Sequence, residues 1–455
     1  MNPVVYVVSD LHLGAGRRQS GTWDALEDFF VDDQFCKFLD WASRKQQIAE
    51  LVIAGDFIDY TQILPDLALL SPDKKLGSTQ AESLERTRVA LGLRPEIAAG
   101  HSKLFQRLRQ WLADGHSITI IPGNHDIDLL WPDVWKLLFD TIYPPGASGR
   151  LQRHPFSYIV GNGAQQIYIE HGHERDKANA FGDEMRNPFG VDQYGVPRLK
   201  RCWGTLFVDL VYNRLERDRW FIDNLKPITR VIREGLRNDT AFTASSLAMI
   251  VKFFLTCGAP PGGLGAVLGR LNEPVPHTPE GLAEAVADQK LKAYLEKQLK
   301  NATFREAFTN EIDRFNERDW NEIEAGVDLQ PTLEQLSPDL EEAVVLSDHA
   351  SAYVVAARNV LEQSSTLSTV IMGHTHGAID GLTDPINLNS GQTGYYFNSG
   401  TWTPHLREVA GRHYTWEEMA NRANYTSSLT FVILTPDEAG NYHASLESWA
   451  RLASR

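Results

Sequence analysis

Cysteine is scarce in this chain of 455 residues: Cys36, Cys202 and Cys257 stand far apart, with no CxxC pair. That argues against a disulfide framework or a cysteine zinc site and leads us to expect a reducing, cytoplasmic setting. Positive charge is also in deficit. Lys and Arg number 44 against 59 Asp and Glu, a formal net charge of −15, so general nucleic-acid binding is not expected, although a local basic groove stays open. An export signal is not expected either, because Met1-Asn2-Pro3 runs straight into Val4 to Val8 without a basic stretch. The longest apolar stretch, Ala244 to Cys257, is interrupted by Lys252 and falls short of the ~20 residues a membrane-spanning helix needs. No transmembrane segment is therefore expected, while peripheral membrane contact and oligomeric state stay open. Repeats at solenoid periods are absent as well.

What is present is ample apolar material: 42% hydrophobic residues, with 11 Trp. The length suits about three average domains or one enlarged catalytic domain with insertions. Six short runs are apolar on both faces: Val4 to Val8, Leu51 to Ala54, Ile118 to Ile121, Ile167 to Ile169, Thr369 to Met372 and Leu429 to Leu434. Their length and β-branched content predict buried strands, and the helix-length segments between them (Asp33 to Glu50, His101 to Asp114) give an α/β plan. From about Arg175 to Glu342 amphipathic helical patterns dominate instead, as in Leu206, Phe207, Leu210, Val211 and Leu215. Within that stretch Pro227 is expected to kink a helix, Gly258 to Gly263 to break it, and Ala283 to Lys300 to resume it. The expected division is a core in two parts, 1–174 and 343–455, around a helical insertion or cap, 175–342.

The reactive residues gather where the strands end. Asp10-Leu11-His12, Gly55-Asp56-Phe57-Ile58-Asp59, Gly123-Asn124-His125-Asp126, His171-Gly172-His173 and Gly373-His374-Thr375-His376 each follow one of the runs. In an α/β sheet the carboxyl ends of strands open onto one crevice, so five clusters point at one site. Asp10, His12, Asp56, Asn124, His171, His374 and His376 form an oxygen and imidazole set without thiolate, suited to Mn, Fe or Zn rather than Ca. Seven donors exceed one metal's usual share. With Asp56 as a bridge they serve two divalent ions, with positions left for water and substrate. Gly55, Gly123, Gly172 and Gly373 let the backbone turn sharply beside these donors.

This ordered pattern resembles that of the calcineurin-like metallophosphoesterase superfamily: DxH, GDxxD, GNHD/E, a His followed by Gly, and GHxH, here Asp10-x-His12, Gly55-Asp56-x-x-Asp59, Gly123-Asn124-His125-Asp126, His171-Gly172 and Gly373-x-x-His376. The resemblance implies a β-sandwich flanked by helices, with Asp10, His12, Asp56 and His376 on one metal and Asp56, Asn124, His171 and His374 on the other. It makes His125 a non-ligand acid or phosphate contact oriented by Asp126, and the reaction phosphoester hydrolysis by a metal-bridging hydroxide. Asn398-Ser399-Gly400-Thr401 is similar to the superfamily's late NxGS segment, which supports the site. The order of motifs and the helical insertion also look like bacterial pyrophosphohydrolases that cleave UDP-diacylglucosamine, which carry Arg where this chain has His125. The expected substrate is a phosphorylated small molecule or lipid-type compound, cut at a phosphodiester, pyrophosphate or phosphomonoester bond, and the sequence does not separate nucleotide, phospholipid-type and phosphoprotein substrates. A nuclease of the same superfamily and a catalytically weak scaffold are the competing readings.

Around these residues, Asp59 is expected to fix a ring N–H without ligating, and His173 either to contact substrate or to hold its loop. Arg17, Arg18 and Arg175 follow donor motifs and are candidates for holding a phosphate. His101, His116, His154, His277, His349, His405, His413 and His443 are read as structural.

Overall fold

The structure is a computed structural model that describes residues 2–46, 48–71, 73–161, 165–222, 224, 235–257, 276–286, 289–328, 349–407 and 414–454. Two units emerge: Met1–Leu206, His349–Pro404 and Thr426–Arg455 form the first, Phe207–Asp348 and His405–Tyr425 the second.

Two sheets make the centre of the first unit. The six-stranded sheet runs in the order Tyr442–Ser448, Thr430–Pro436, Val4–Val8, Ala49–Ala54, Ser117–Ile121, Leu151–Arg153. The five-stranded sheet runs Ile386–Asn387, Thr393–Asn398, Leu367–Met372, Gln166–Glu170, Ser157–Val160. Strands that precede the donor motifs pair in parallel, so their carboxyl ends lie together: Val8 beside Ile53 in one sheet, Ile169 beside Ile371 in the other.

Period-two alternation sorts each strand between layers. Val5 and Val7 join Val52, Ala54 and Ile121 against Ile167, Ile169, Ile371 and Phe397 to form the core between the sheets. Val4, Tyr6 and Val8 face the other way, with Leu51, Ile53, Ile118 and Ile120, onto the helices Asp32–Lys45, Ser102–Ala113 and Pro132–Ile142. On the far side, Val370, Met372 and Tyr396 pack on Tyr353, Ala357, Val360 and Leu361 of the helix His349–Glu362. The result is the expected mixed α/β sandwich. Because strands buried on both faces need apolar residues at every position, continuous runs were the right signal for the central ones.

Two boundaries differ from expectation. Residues 175–206 belong to the first unit and are not helical throughout: they carry a hairpin, Phe189–Val191 with Pro197–Leu199, whose Phe189 ring sits 4.3 Å from Trp131. Residues 405–425 leave the first unit for the second. There the Trp416 ring meets Phe221 at 5.1 Å, and Tyr425 meets Trp220 at 5.0 Å. The Pro227 kink, the Gly258 to Gly263 break and the expected boundary at 342 fall outside the described residues.

The helix Thr240–Cys257 is the one described helix with the length and apolarity to cross a membrane, at a mean hydropathy of 1.5 over 18 residues. It begins four residues before the stretch picked out by apolarity. Burial identifies it as the core helix of the second unit: residues 246–251 and 253–255 are all buried. Its Lys252 pairs with Asp319 at 2.8 Å and lies 4.5 Å from the Phe315 ring centroid.

Candidate metal centre

At the strand ends the backbone turns abruptly. Seven described non-glycine residues have positive φ, and five of them are expected donors: Asp10 (52°), His12 (49°), Asp56 (50°), His374 (68°) and His376 (61°). Such left-handed conformations are uncommon without glycine and are strained, on the order of 1–3 kcal/mol each. Strain concentrated on chemically reactive side chains, with only Leu64 and Leu429 outside the set, marks a functional constraint. Backbone bonds hold the turns against one another: Asp10 N–H donates to Gly55 O (3.1 Å), His12 N–H to Asp56 O (2.9 Å) and Gly373 N–H to His171 O (2.9 Å). Two glycines are sterically required. At Gly55, with φ 92°, a Cβ would overlap the His171 ring, and at Gly123 it would overlap the Asp56 carboxylate.

Six of the seven expected donors converge in overlapping groups. Donor atoms of Asp10, His12 and His376 lie within 4.8 Å of one another, as do those of Asp56, His171 and His374. A third such group joins His12, Asp56 and His125, so Asp56 belongs to groups on both sides. His12 Nε2 is 3.1 Å from His376 Nε2 and 3.7 Å from Asp56 Oδ2. His171 Nε2 is 3.1 Å from the same Asp56 oxygen, while its Nδ1 faces Ala54 O at 2.9 Å.

Carboxylates and imidazoles shift one another at the strand ends. Burial alone would raise the carboxyls of Asp10 and Asp56, yet His376 and His171 hold Asp10 below its ordinary range, and His171 and His125 do the same for Asp56. Burial works against charge on His171, but Asp56, helped by Asp10, pushes that ring up to about 9. His374 shifts the other way, lowered by burial. One donor atom is buried without a hydrogen bond, Asn124 Oδ1, while His171 Nε2 has only the Asp56 carboxylate beside it. An unpaired buried acceptor is destabilising by roughly 1–3 kcal/mol, and a cation would supply the partner that Asn124 Oδ1 lacks. The residues therefore fit a divalent metal held by oxygen and imidazole.

Three expectations require correction. His125 is oriented by Asp59 and not by Asp126: one oxygen, Asp59 Oδ2, contacts His12 Nδ1 at 2.8 Å and His125 Nδ1 at 2.9 Å. Asp126 instead accepts from the backbone N–H groups of Phe57 and Gly123, tying two loops together, and burial with the nearby Asp56 raises it to about 7. Arg175 does not offer itself to a phosphate, since it makes a two-pronged pair with Glu170 at 2.8 and 3.1 Å. Arg17 is exposed, lies over the Trp23 ring at 4.0 Å and donates to Gly21 O, while Arg18 pairs with Asp24.

Asn398 Nδ2 donates to Gly373 O (2.8 Å) and Thr375 Oγ1 (3.1 Å), and its Oδ1 accepts from Gly400 N–H (2.9 Å), which braces the loop carrying His374 and His376. His173 is buried beside His171, with ring centroids 5.4 Å apart. Asp176 and Asn179 were missed: Asp176 Oδ2 is 3.2 Å from His374 Nε2, and Asn179 Oδ1 accepts from Asn124 Nδ2 at 3.3 Å. No local signal in the sequence marks them.

Comparison with the curated proteins finds no match. The family model for calcineurin-like phosphoesterase matches residues 3–229, a span that carries four of the five motifs and stops before Gly373. With the fifth motif brought to the same place by the fold, the chain belongs to the calcineurin-like phosphoesterase family.

Proposed function

We propose that this protein is a metal-dependent phosphoesterase whose centre takes two divalent ions. The observation that carries the reading is the position of Asp56, whose carboxylate belongs to donor groups on both sides. Asp10, His12 and His376 would complete one ion's donors, and Asn124, His171 and His374 the other's. The mixture of oxygen and imidazole favours Mn, with Fe or Zn as alternatives. When bound, such ions supply Lewis-acid charge and an activated water for attack on phosphorus.

The chain's own residues account for the remaining needs. Asp59 accepts from His125 Nδ1, which supports a protonated ring and leaves Nε2 to donate to the leaving oxygen or a phosphate oxygen, a role worth typically ~10²–10⁴-fold. Asp59 also accepts from His12 Nδ1, which places that ring's one proton there and leaves Nε2 as the lone-pair donor, so one carboxylate sets both rings. With Arg17 exposed and Arg175 paired to Glu170, histidine becomes the proposed phosphate contact. A phosphorylated small molecule or lipid-type ester is the proposed substrate class, since the net charge of −15 does not favour a nucleic-acid track. We further propose that the helical unit acts as a cap that selects among such substrates, and that the setting is a reducing cytoplasm, in keeping with three free cysteines.

The test is metal content measured beside turnover of a panel of chromogenic phosphomonoesters and phosphodiesters. Close to two ions per chain, with turnover lost in chelator and regained with Mn²⁺, is the expected result. Full turnover by a metal-free preparation would overturn it.

A further inference from the structure

The segment that follows His171 is built more tightly than a connecting loop needs. The Glu174 carboxylate accepts from the backbone N–H groups of Phe181 (2.8 Å) and Gly182 (2.9 Å). Asp176 Oδ1 accepts from Ala178 N–H (3.0 Å), and Arg175 ties the segment back to Glu170 on the preceding strand. Gly204 leaves the space that Asn179 fills, since a Cβ there would overlap the Asn179 amide.

Out of this turn two side chains reach two expected metal donors. Asp176 Oδ2 lies 3.2 Å from His374 Nε2 and also accepts from Asn179 Nδ2 at 2.7 Å. Asn179 Oδ1 then accepts from Asn124 Nδ2 at 3.3 Å. One polar chain, His374 to Asp176 to Asn179 to Asn124, thus joins donors that follow different strands, Leu367–Met372 and Ser117–Ile121. Each link settles an ambiguity. A carboxylate on His374 Nε2 calls for the proton there and leaves Nδ1 as the lone-pair donor. An acceptor on Asn124 Nδ2 fixes which end of the amide is which, and leaves Oδ1, buried and without a partner, as the atom presented to a cation.

We propose that Asp176 and Asn179 are positioning residues for one half of the metal centre, setting the tautomer of His374 and the orientation of Asn124. This rests on the two-ion reading above and adds to it that one ion depends on this turn more than the other, because Asp10 faces His376 and His12 faces Asp59 instead. The competing reading is that the same bonds merely hold the loop.

Mn²⁺ alone, titrated calorimetrically into the metal-stripped full chain, separates the possibilities when combined with thermal unfolding of the metal-free protein. Wild type is expected to take two ions; a chain that takes fewer contradicts the two-ion reading itself. Given two, Asp176→Ala should weaken one ion by about 10–100-fold and leave the other and the metal-free Tm unchanged. Asp176→Asn keeps an oxygen able to accept from Nε2 and should recover most of that affinity, whereas Asn179→Ala should weaken the same ion less. Two full-affinity ions in Asp176→Ala, or equal weakening of both ions with a lowered metal-free Tm, would overturn the proposal. Should Asp176→Ala not fold, Asn179→Ala decides by the same criterion of one selectively weakened ion.

Discussion

The first unit buries histidines among carboxylates in two places, and the two are put together differently. His101 Nδ1 contacts Asp32 at 3.0 Å and its Nε2 contacts Glu27 at 3.3 Å, so both ring nitrogens meet an acid. Burial disfavours its charge, yet Glu27 and Asp32 push it up to about 10: the cluster supplies its own cation. At the strand ends carboxylates raise His171 as well, but the pairing is incomplete. His12 Nε2 faces His376 Nε2 at 3.1 Å, and Asn124 Oδ1 has no hydrogen bond. Five of those donors also sit on left-handed backbone, whereas neither His101 nor its partners do. A structural ion cluster satisfies itself, and a metal centre is recognised by what it leaves open.

The sharpest way to break this contrast is at Asp56. Asp56→Asn is expected to lose both ions and to drop turnover beyond the ~10²–10³-fold that removing one preorganised charge-stabilising group brings about. His12→Ala should chiefly weaken one ion. Metal analysis of the two variants checks this, and loss of the same single ion in both would count against the shared role of Asp56.

His125 sharpens the comparison from another side, because it touches Asp59 as a structural histidine would yet lies in the open cluster. We expect His125→Ala to keep both ions while turnover falls by about 10²–10⁴-fold, with the larger loss on substrates whose leaving oxygen needs a proton. Equal loss on good and poor leaving groups would leave only a phosphate-contact role, and loss of metal would remove both.

For His101 the expected effect is on stability alone. Its folded-state pKa is raised above the ordinary 6.5 to about 10, so the stabilisation is complete below about pH 6.5 and is lost as pH rises through about 10. Breaking a buried pair costs about 3–5 kcal/mol. His101→Gln should come near the low end, because Glu27 keeps backbone partners at Gly16 and Phe29. Denaturant unfolding across pH 6 to 10 should therefore show a wild-type decline that the variant lacks, with metal content and turnover of the folded variant unchanged. A variant that titrates like wild type would mean that His101 is not the group involved.

The donors were legible in the sequence because strand-end position, adjacent glycine and residue type all repeat at five places. Where the reading went astray, it trusted adjacency. Asp126 follows His125, and Arg175 lies close after His171, but neighbours in a turn point apart: Asp126 binds loop backbone, and Arg175 turns back to Glu170. Asp59, distant in sequence, is the true partner of His125. The strand Tyr442–Ser448 escaped for a different reason. Only Tyr442, Ala444 and Leu446 face the core, a period-two pattern that a search for runs apolar on both faces passes over. Asp176 and Asn179 could not be assigned without the fold, since nothing local shows that a turn reaches two other strands.

The smallest effect we expect is at Asn398, and it asks whether strained loops need a brace that a self-satisfied cluster does not. Asn398 is fully buried and grips the loop from both ends, donating to Gly373 O and Thr375 Oγ1 and accepting from Gly400 N–H. His374 and His376, on the braced loop, belong to different donor groups, so slackening should reach both ions. Asn398→Ala leaves the Gly373 carbonyl and the Gly400 N–H without this partner, at roughly 1–3 kcal/mol of stability, and should lower the affinity for both ions by about 10-fold, the low end for a supporting contact. Asn398→Asp keeps the bond from Gly400 but sets a carboxylate against the Gly373 carbonyl, so it should be no better than Ala for metal although it restores one partner. Mn²⁺ titration of the two variants beside wild type checks this. If metal affinity is unchanged while Tm falls, Asn398 serves the fold alone, and the left-handed turns at His374 and His376 hold their donors without it.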